Sequence, residues 1–275
     1  MFWILFGVLA FAALLAYGWF EAGWLRTRVL ELPLEGLPAD LDGVRIAHLS
    51  DLHLGVRSRG AVAAERAVGW IAARKPDLVC ITGDLLSRPR GEPLLRRLLA
   101  RLGPAYAVLG NHDRADTRDP FSQPVELVEL GATELLADES RIVLLRGRRV
   151  QVVGVDPASY SLGVARPERH ADASTDLRLL LCHFPGVARN LEPGAYHLVL
   201  AGHMHAGQIV LPHPGGRFLF AHPFAPEDRG VYRYPGAVLH VSPGVGTTFV
   251  PFRFFARPEV TELVLRRVVP DDPRA

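Results

Sequence analysis

Residues 45–53 read RIAHLSDLH: an apolar run of strand type passes without a break into an Asp-x-His pair. The same junction recurs four times, in DLVCITGD (77–84), AYAVLGNHD (105–113), LRLLLCHFP (177–185) and HLVLAGHMHAGQ (197–208). Helix-period segments at 60–74 and 92–102 separate the first three runs, and that strand, helix, strand alternation predicts parallel βαβ units. A second series of short apolar runs, RIVLL, VQVVGV, LRLLLC, HLVLA, RFLFA and AVLHVS, has few helix signals in its later part and predicts a second sheet packed on the first. Ligands of open α/β sheets bind at the carboxyl ends of the strands, so five such ends can meet at one site.

Taken singly, each polar cluster is weak. Asp51, His53 and Asp84 read equally well as caps or turn residues, Asn111 and His112 as a left-handed turn, and His183 as a core histidine. Together, four histidines (His53, His183, His203, His205), two aspartates (Asp51, Asp84) and Asn111 supply the nitrogen and oxygen ligands that two divalent ions need. The two cysteines are far apart, which removes zinc-finger and iron–sulfur readings. Neither a GxxxxGK[ST] phosphate loop nor a GxSxG elbow is present. In GHMHAGQ, alternation along a strand end predicts that His203 and His205 share one side while Met204 turns away.

In order, the blocks Asp51-Leu52-His53, Gly83-Asp84, Gly110-Asn111-His112-Asp113, His183 and Gly202-His203-Met204-His205 resemble the pattern of the calcineurin-like metallophosphoesterases. The resemblance covers roughly residues 38 to 265, and SDLHLG, GHMHAGQIVLP and SPGVGTTFVPFRFFARPEV are similar to a membrane-anchored bacterial subgroup. It implies an α/β fold, a four-layer αββα sandwich. It also implies that Asp51, His53 and His205 hold one metal, that Asn111, His183 and His203 hold a second, and that Asp84 bridges them. A carboxylate has two oxygens able to bind separate cations, which suits Asp84 to that place. The mixed His and Asp ligand set favours first-row transition metals, with Mn first and Fe or Zn as alternatives.

The resemblance implies that His112 lies near the leaving-group oxygen, where an imidazolium donates a proton or stabilises developing charge. Asp113 either orients His112 or a metal ligand, or caps the following turn. Some relatives carry a second Asp shortly after the bridging one to pair with that His; here Leu86 and Ser87 stand there, so what holds His112 is open. His48 reads as core, whereas His213, His222, Arg229, Tyr232 and Tyr234 are a candidate substrate wall. Arg57 and Arg59 are candidates for a second phosphate, and Leu54, Phe121, Phe249 and Phe252 for a lipid path.

Residues 1–20 carry no charge and match the roughly 20 residues a bilayer-spanning helix needs. A cleaved signal peptide would require a positive leading region and a shorter apolar core. We expect an anchor at 1–22, a linker at 23–43 and a catalytic domain at 44–270. Arg26 and Arg28 follow the span, which predicts an inner (cell) membrane protein with a cytoplasmic body. Cys80 and Cys182 lie in apolar runs as free thiols, as in a reducing compartment. With 49% apolar and 22% charged residues the chain is globular, and a net charge of +2 gives no footprint for nucleic acid.

The expected function is a membrane-anchored, dinuclear-metal phosphoesterase that cleaves a phosphodiester or pyrophosphate bond by attack of a metal-bound hydroxide. Its narrower form is a UDP-2,3-diacylglucosamine pyrophosphatase, with a lipid or nucleotide-lipid as substrate. The rival is a metal-binding scaffold without catalysis, which would be expected to have lost ligands; none is missing here.

Overall fold

In the computed structural model, which describes residues 1–127 and 129–268, two six-stranded sheets lie face to face. The expected domain end at 270 falls outside these residues. The first sheet has the order β1 (Arg26–Leu34), β14 (Glu259–Arg267), β2 (Arg45–Leu49), β3 (Leu78–Thr82), β4 (Ala105–Val108) and β5 (Thr133–Leu135). The second has the order β12 (Gly230–Tyr234), β13 (Ala237–Val241), β9 (Leu198–Ala201), β8 (Leu177–Leu181), β7 (Arg148–Gly154) and β6 (Glu139–Leu145). Strands β2 to β5 run parallel, as do β7, β8, β9 and β13, so the ends that carry the polar blocks of each sheet point the same way.

Alternation along the strands divides the core. Ile46, Cys80, Val152, Leu179 and Leu200 face the space between the sheets, while Ala47, Val79 and Ile81 face out toward the helices. Helix α2 (Gly60–Arg74) buries Ala63, Ala64, Ala67, Val68 and Ile71, one stripe at helical spacing, and small alanines let it lie close to the sheet. Helix α3 (Glu92–Leu99) buries Leu95, Leu98 and Leu99 and ends three residues short of expectation. The outer face of the second sheet is covered more thinly, by α4 (Pro157–Ser161) and short 3-10 turns. The four layers of the αββα sandwich are therefore present but unequal.

Two expectations change. Part of the stretch read as a linker is β1, which pairs in parallel with β14 over nine residues, because Leu32 and Leu34 have apolar partners waiting between the sheets. RFLFA does not join the second sheet; residues Gly216–Leu219 form β11, which among the described residues pairs with β10 (Val210–His213) in a separate hairpin. The N-terminal segment is a 20-residue apolar helix, α1 (Phe2–Glu21), long enough to cross a membrane. Both cysteines are buried and free.

Candidate metal centre

All five polar blocks lie just past strand ends, where the chain turns sharply. Asp51, His53, Asp84, His203 and His205 each have a left-handed backbone, with φ between 46° and 74°, a region that non-glycine residues seldom occupy. His203 and His205 thus lie beyond β9, in a turn rather than on the pleat; two left-handed residues, not strand alternation, aim them at the site. The loops meet closely enough that a Cβ on Gly110 would overlap the Asp84 carboxylate, so the Gly of the GNHD block is sterically required.

Asp51, His53, Asp84 and His205 are buried, and their ligand atoms lie within 4.8 Å of one another. His53 Nε2 is 3.0 Å from His205 Nε2 and 3.4 Å from Asp84 Oδ2, and His205 Nε2 is 3.4 Å from Asp51 Oδ1. On the other side of Asp84, His183 Nε2 is 3.1 Å from Asn111 Oδ1, 3.2 Å from His203 Nδ1 and 3.3 Å from Asp84 Oδ2. Around an ion at about 2.1 Å, neighbouring ligands sit about 3.0 Å apart at octahedral angles and about 3.4 Å apart at tetrahedral ones, and both groups match these edges. The donor set therefore fits metal ions. Asp84 Oδ2 alone faces both groups, because Oδ1 accepts a hydrogen bond of 2.9 Å from the His112 backbone N–H. The two carboxylate oxygens therefore do not face one group each, as the sequence argument expected.

The electrostatics suit cation capture. Burial keeps His53 and His205 well below the ordinary imidazole range and lowers His203 to about 3, so their lone pairs are free to coordinate. Burial would raise Asp84, but His183, His53 and His112 hold it well below the usual carboxylate range. Burial likewise opposes the charge of His183, yet the Asp84 and Asp51 carboxylates raise it to about 9. Burial lifts Asp51 to about 6.

Outer contacts fix the ligand rings. His53 Nδ1 lies 2.9 Å from Ser87 Oγ, and His183 Nδ1 donates to the Thr82 carbonyl at 2.8 Å. Asp113 does not reach His112. Its carboxylate accepts hydrogen bonds from the backbone N–H groups of Leu85, Leu86 and Gly110, tying the Asp84 loop to the Asn111 loop. His112 Nδ1 instead lies 2.6 Å from Ser122 Oγ and 3.8 Å from Asp119 Oδ2, with its Nε2 4.0 Å from Asp84 Oδ2. Asp119 and Ser122 sit in a loop without motif, and their only sequence signal is an acidic residue within ten positions of GNHD. Sequence reasoning also missed Arg253, whose buried guanidinium donates to the carbonyls of Pro243, Gly246 and Ala256 and lies 3.2 Å from His205 Nδ1.

A cavity of about 950 Å³ opens at Asp84, Asn111, His203 and His205, and its lining includes His112 and His222 together with the apolar Ile209, Phe220 and Phe249. His222, read as substrate wall, and Phe249, read as part of a lipid path, both line it. Tyr232 and Tyr234 lie on β12 at the edge of the second sheet, His213 is exposed on the hairpin, and Leu54 is core. Arg57 and Phe121 line a smaller adjoining cavity with Arg88 and Arg90. His48 is core as expected, its Nδ1 2.8 Å from Nδ1 of His240.

The family described as calcineurin-like phosphoesterase matches residues 44–207, a span that holds every ligand-type residue named above. The chain belongs to this family. It is similar to an uncharacterized metallophosphoesterase, YkoQ, of Bacillus subtilis, at 29% identity over 82% of this chain and 85% of the relative. It is also similar to a transmembrane protein with metallophosphoesterase domain of Danio rerio, at 31% identity over 86% of this chain but only 56% of that protein. The phosphodiesterase YaeI of Escherichia coli is 27% identical over 90% of this chain and 89% of its own length. Fold, ligand cluster and family together make the chain a metal-dependent phosphoesterase anchored by α1.

Proposed function

We propose that the centre takes two divalent cations, Mn first with Fe or Zn as alternatives, and hydrolyses a phosphodiester or pyrophosphate bond. The observation that carries this reading is Asp84 Oδ2, which faces two separate ligand groups at 3.3 and 3.4 Å. Asp51, His53 and His205 would hold one ion, and Asn111, His183 and His203 the other. Such a pair of ions, when bound, supplies Lewis acidity at phosphorus and draws a nucleophile from water near neutral pH.

The chain's own residues do the rest. His112 lines the cavity, with Nε2 3.3 Å from Thr117 Oγ1 and 3.4 Å from Thr248 Oγ1, and serves as the proton donor to the leaving oxygen, while Ser122 at Nδ1 fixes its ring. Asp113 acts by position, holding the two ligand loops in register. A diester or pyrophosphate is favoured over a monoester because the cavity extends well beyond the ligands and has apolar residues in its lining, room for a second substituent on phosphorus. The printed name of the Escherichia coli relative, a phosphodiesterase, agrees. A nucleotide-lipid such as UDP-2,3-diacylglucosamine is the narrower reading. The catalytic body lies on the cytoplasmic side of the inner (cell) membrane, supported by Arg26 and Arg28 just after the span.

The test is a metal-reconstituted assay of bis-p-nitrophenyl phosphate, p-nitrophenyl phosphate and UDP-diacylglucosamine, with metal content measured on the same sample. Two ions per chain and preference for a diester or pyrophosphate support the proposal. Saturation at one ion, or preference for the monoester, overturns it.

A further inference from the structure

The last turn of α1 does not stand free of the catalytic domain. Tyr17 packs on Phe254 and Phe255, with ring centroids 6.3 and 5.9 Å apart, and Trp19 packs on Phe252 at 6.4 Å. Gly18 admits this contact, since a Cβ there would overlap the Phe254 ring, and its carbonyl accepts from Arg253 N–H at 3.1 Å. Buried Glu21 caps the same loop, accepting from the N–H groups of Phe255 and Ala256 at 3.0 and 2.7 Å.

Length then decides depth. The 20 residues of α1 rise about 30 Å, which equals the hydrocarbon thickness and leaves no slack. Only the part before Tyr17 is clear of the domain, and those residues rise only about 22 Å. The docked turn, and the 252–255 loop locked to it, must therefore reach the edge of the hydrocarbon.

That loop carries other elements with it. Phe254 pairs with the start of the hairpin, its N–H donating to Gln208 O at 2.9 Å and its carbonyl accepting from Val210 N–H at 3.0 Å. Beyond that pairing, Leu211, Phe218 and Phe220 on the hairpin and Phe249, Val250 and Phe255 on the loop are 38–58% exposed. Phe218 packs on Phe220 at 5.1 Å, and Phe220, Phe249 and Val250 line one cavity; exposed apolar side chains so clustered mark an interaction surface rather than ordinary scatter. Around it stand groups suited to headgroup depth: the Arg257 guanidinium lies 3.8 Å over the Trp24 ring and that of Arg59 5.9 Å over Phe20.

We propose that hairpin β10–β11 and the 249–255 loop form a second membrane contact, inserted in the leaflet from which α1 emerges, which seats the mouth of the metal cavity on the bilayer surface. Phe220, Phe249 and Val250 belong both to this face and to the cavity wall, so the cavity opens at the lipid boundary. The proposal stands on geometry and is independent of which phosphoester is cleaved.

Nitroxide labels test it in the full-length protein in phosphatidylethanolamine–phosphatidylglycerol vesicles. Leu211→Cys and Phe218→Cys report the hairpin and Leu9→Cys the bilayer. Leu144→Cys reports water, since Leu144 pairs with Arg149 at the opposite end of the second sheet. Cys80 and Cys182 are buried and stay unlabelled. We expect the ratio of oxygen to aqueous nickel-complex accessibility at positions 211 and 218 to exceed that at 144 severalfold. A water-type ratio, equal to that of position 144, at either hairpin position overturns the proposal.

Discussion

Ser122 Oγ lies 2.6 Å from Nδ1 of His112, ten residues earlier in the chain, and buried Asp119 stands behind at 3.8 Å. Asp119 in turn accepts from the Thr248 hydroxyl and the Phe249 N–H at 3.0 and 3.1 Å, so the loop that aims His112 is pinned to the far side of the cavity. Ser122→Ala removes one hydrogen bond of about 1 kcal/mol and should lower kcat about fivefold to tenfold, with KM and metal content unchanged. His112→Ala should lower kcat by about 10²–10⁴ with metal retained. Loss of metal from either variant would assign the His112 side to metal binding instead.

Asp84→Ala deletes the carboxylate oxygen that lies 3.4 Å from His53 Nε2 and 3.3 Å from His183 Nε2, the one proposed to serve both ions. The expected result is activity at background and a metal content well below that of the wild type, read by elemental analysis after dialysis. Hydrolysis at the wild-type rate would falsify the shared-oxygen centre.

Metal loading should release protons. His183, raised to about 9 by Asp84 and Asp51 against the effect of burial, is protonated at pH 7.5 in chelator-stripped protein and must lose that proton to coordinate. At least one proton per chain should therefore leave on loading at pH 7.5, the His183 share fading as the pH rises through 9, and affinity should weaken as the pH falls. Calorimetric titration in two buffers of different ionisation enthalpy measures the release; a buffer-independent heat at pH 7.5 contradicts it.

Asp113→Ala should act on stability before chemistry. It strands three buried backbone N–H groups that tie the Asp84 and Asn111 loops together, at a cost of about 3 kcal/mol or more. Asp113→Asn keeps an acceptor and should lose less, which a pair of thermal melts can compare.

Arg253→Met leaves at least three buried carbonyls without their donor and loosens the backing of His205. We expect a destabilisation of about 3 kcal/mol or more, together with weaker metal retention. A variant with a wild-type melting temperature would show that water replaces the guanidinium there.

Much of this was written locally. Twenty uncharged residues set the span of α1, short apolar runs set most strands, and the strand-end blocks held Asp51, His53, Asp84 and His205, the buried cluster of metal-ligand type. Those signals are legible because each depends on neighbours within a few residues: side-chain alternation, helical spacing, and an Asp or His just past a strand. Tertiary structure alone decided that Arg26–Leu34 pairs with Glu259–Arg267, that Ser122 and Asp119 rather than Asp113 stand behind His112, and that Arg253 joins the last turn of α1 to the back of His205. Those contacts bridge segments in loops and edge strands, where no periodicity marks a residue for its partner and only the closing of two sheets brings the partner within reach.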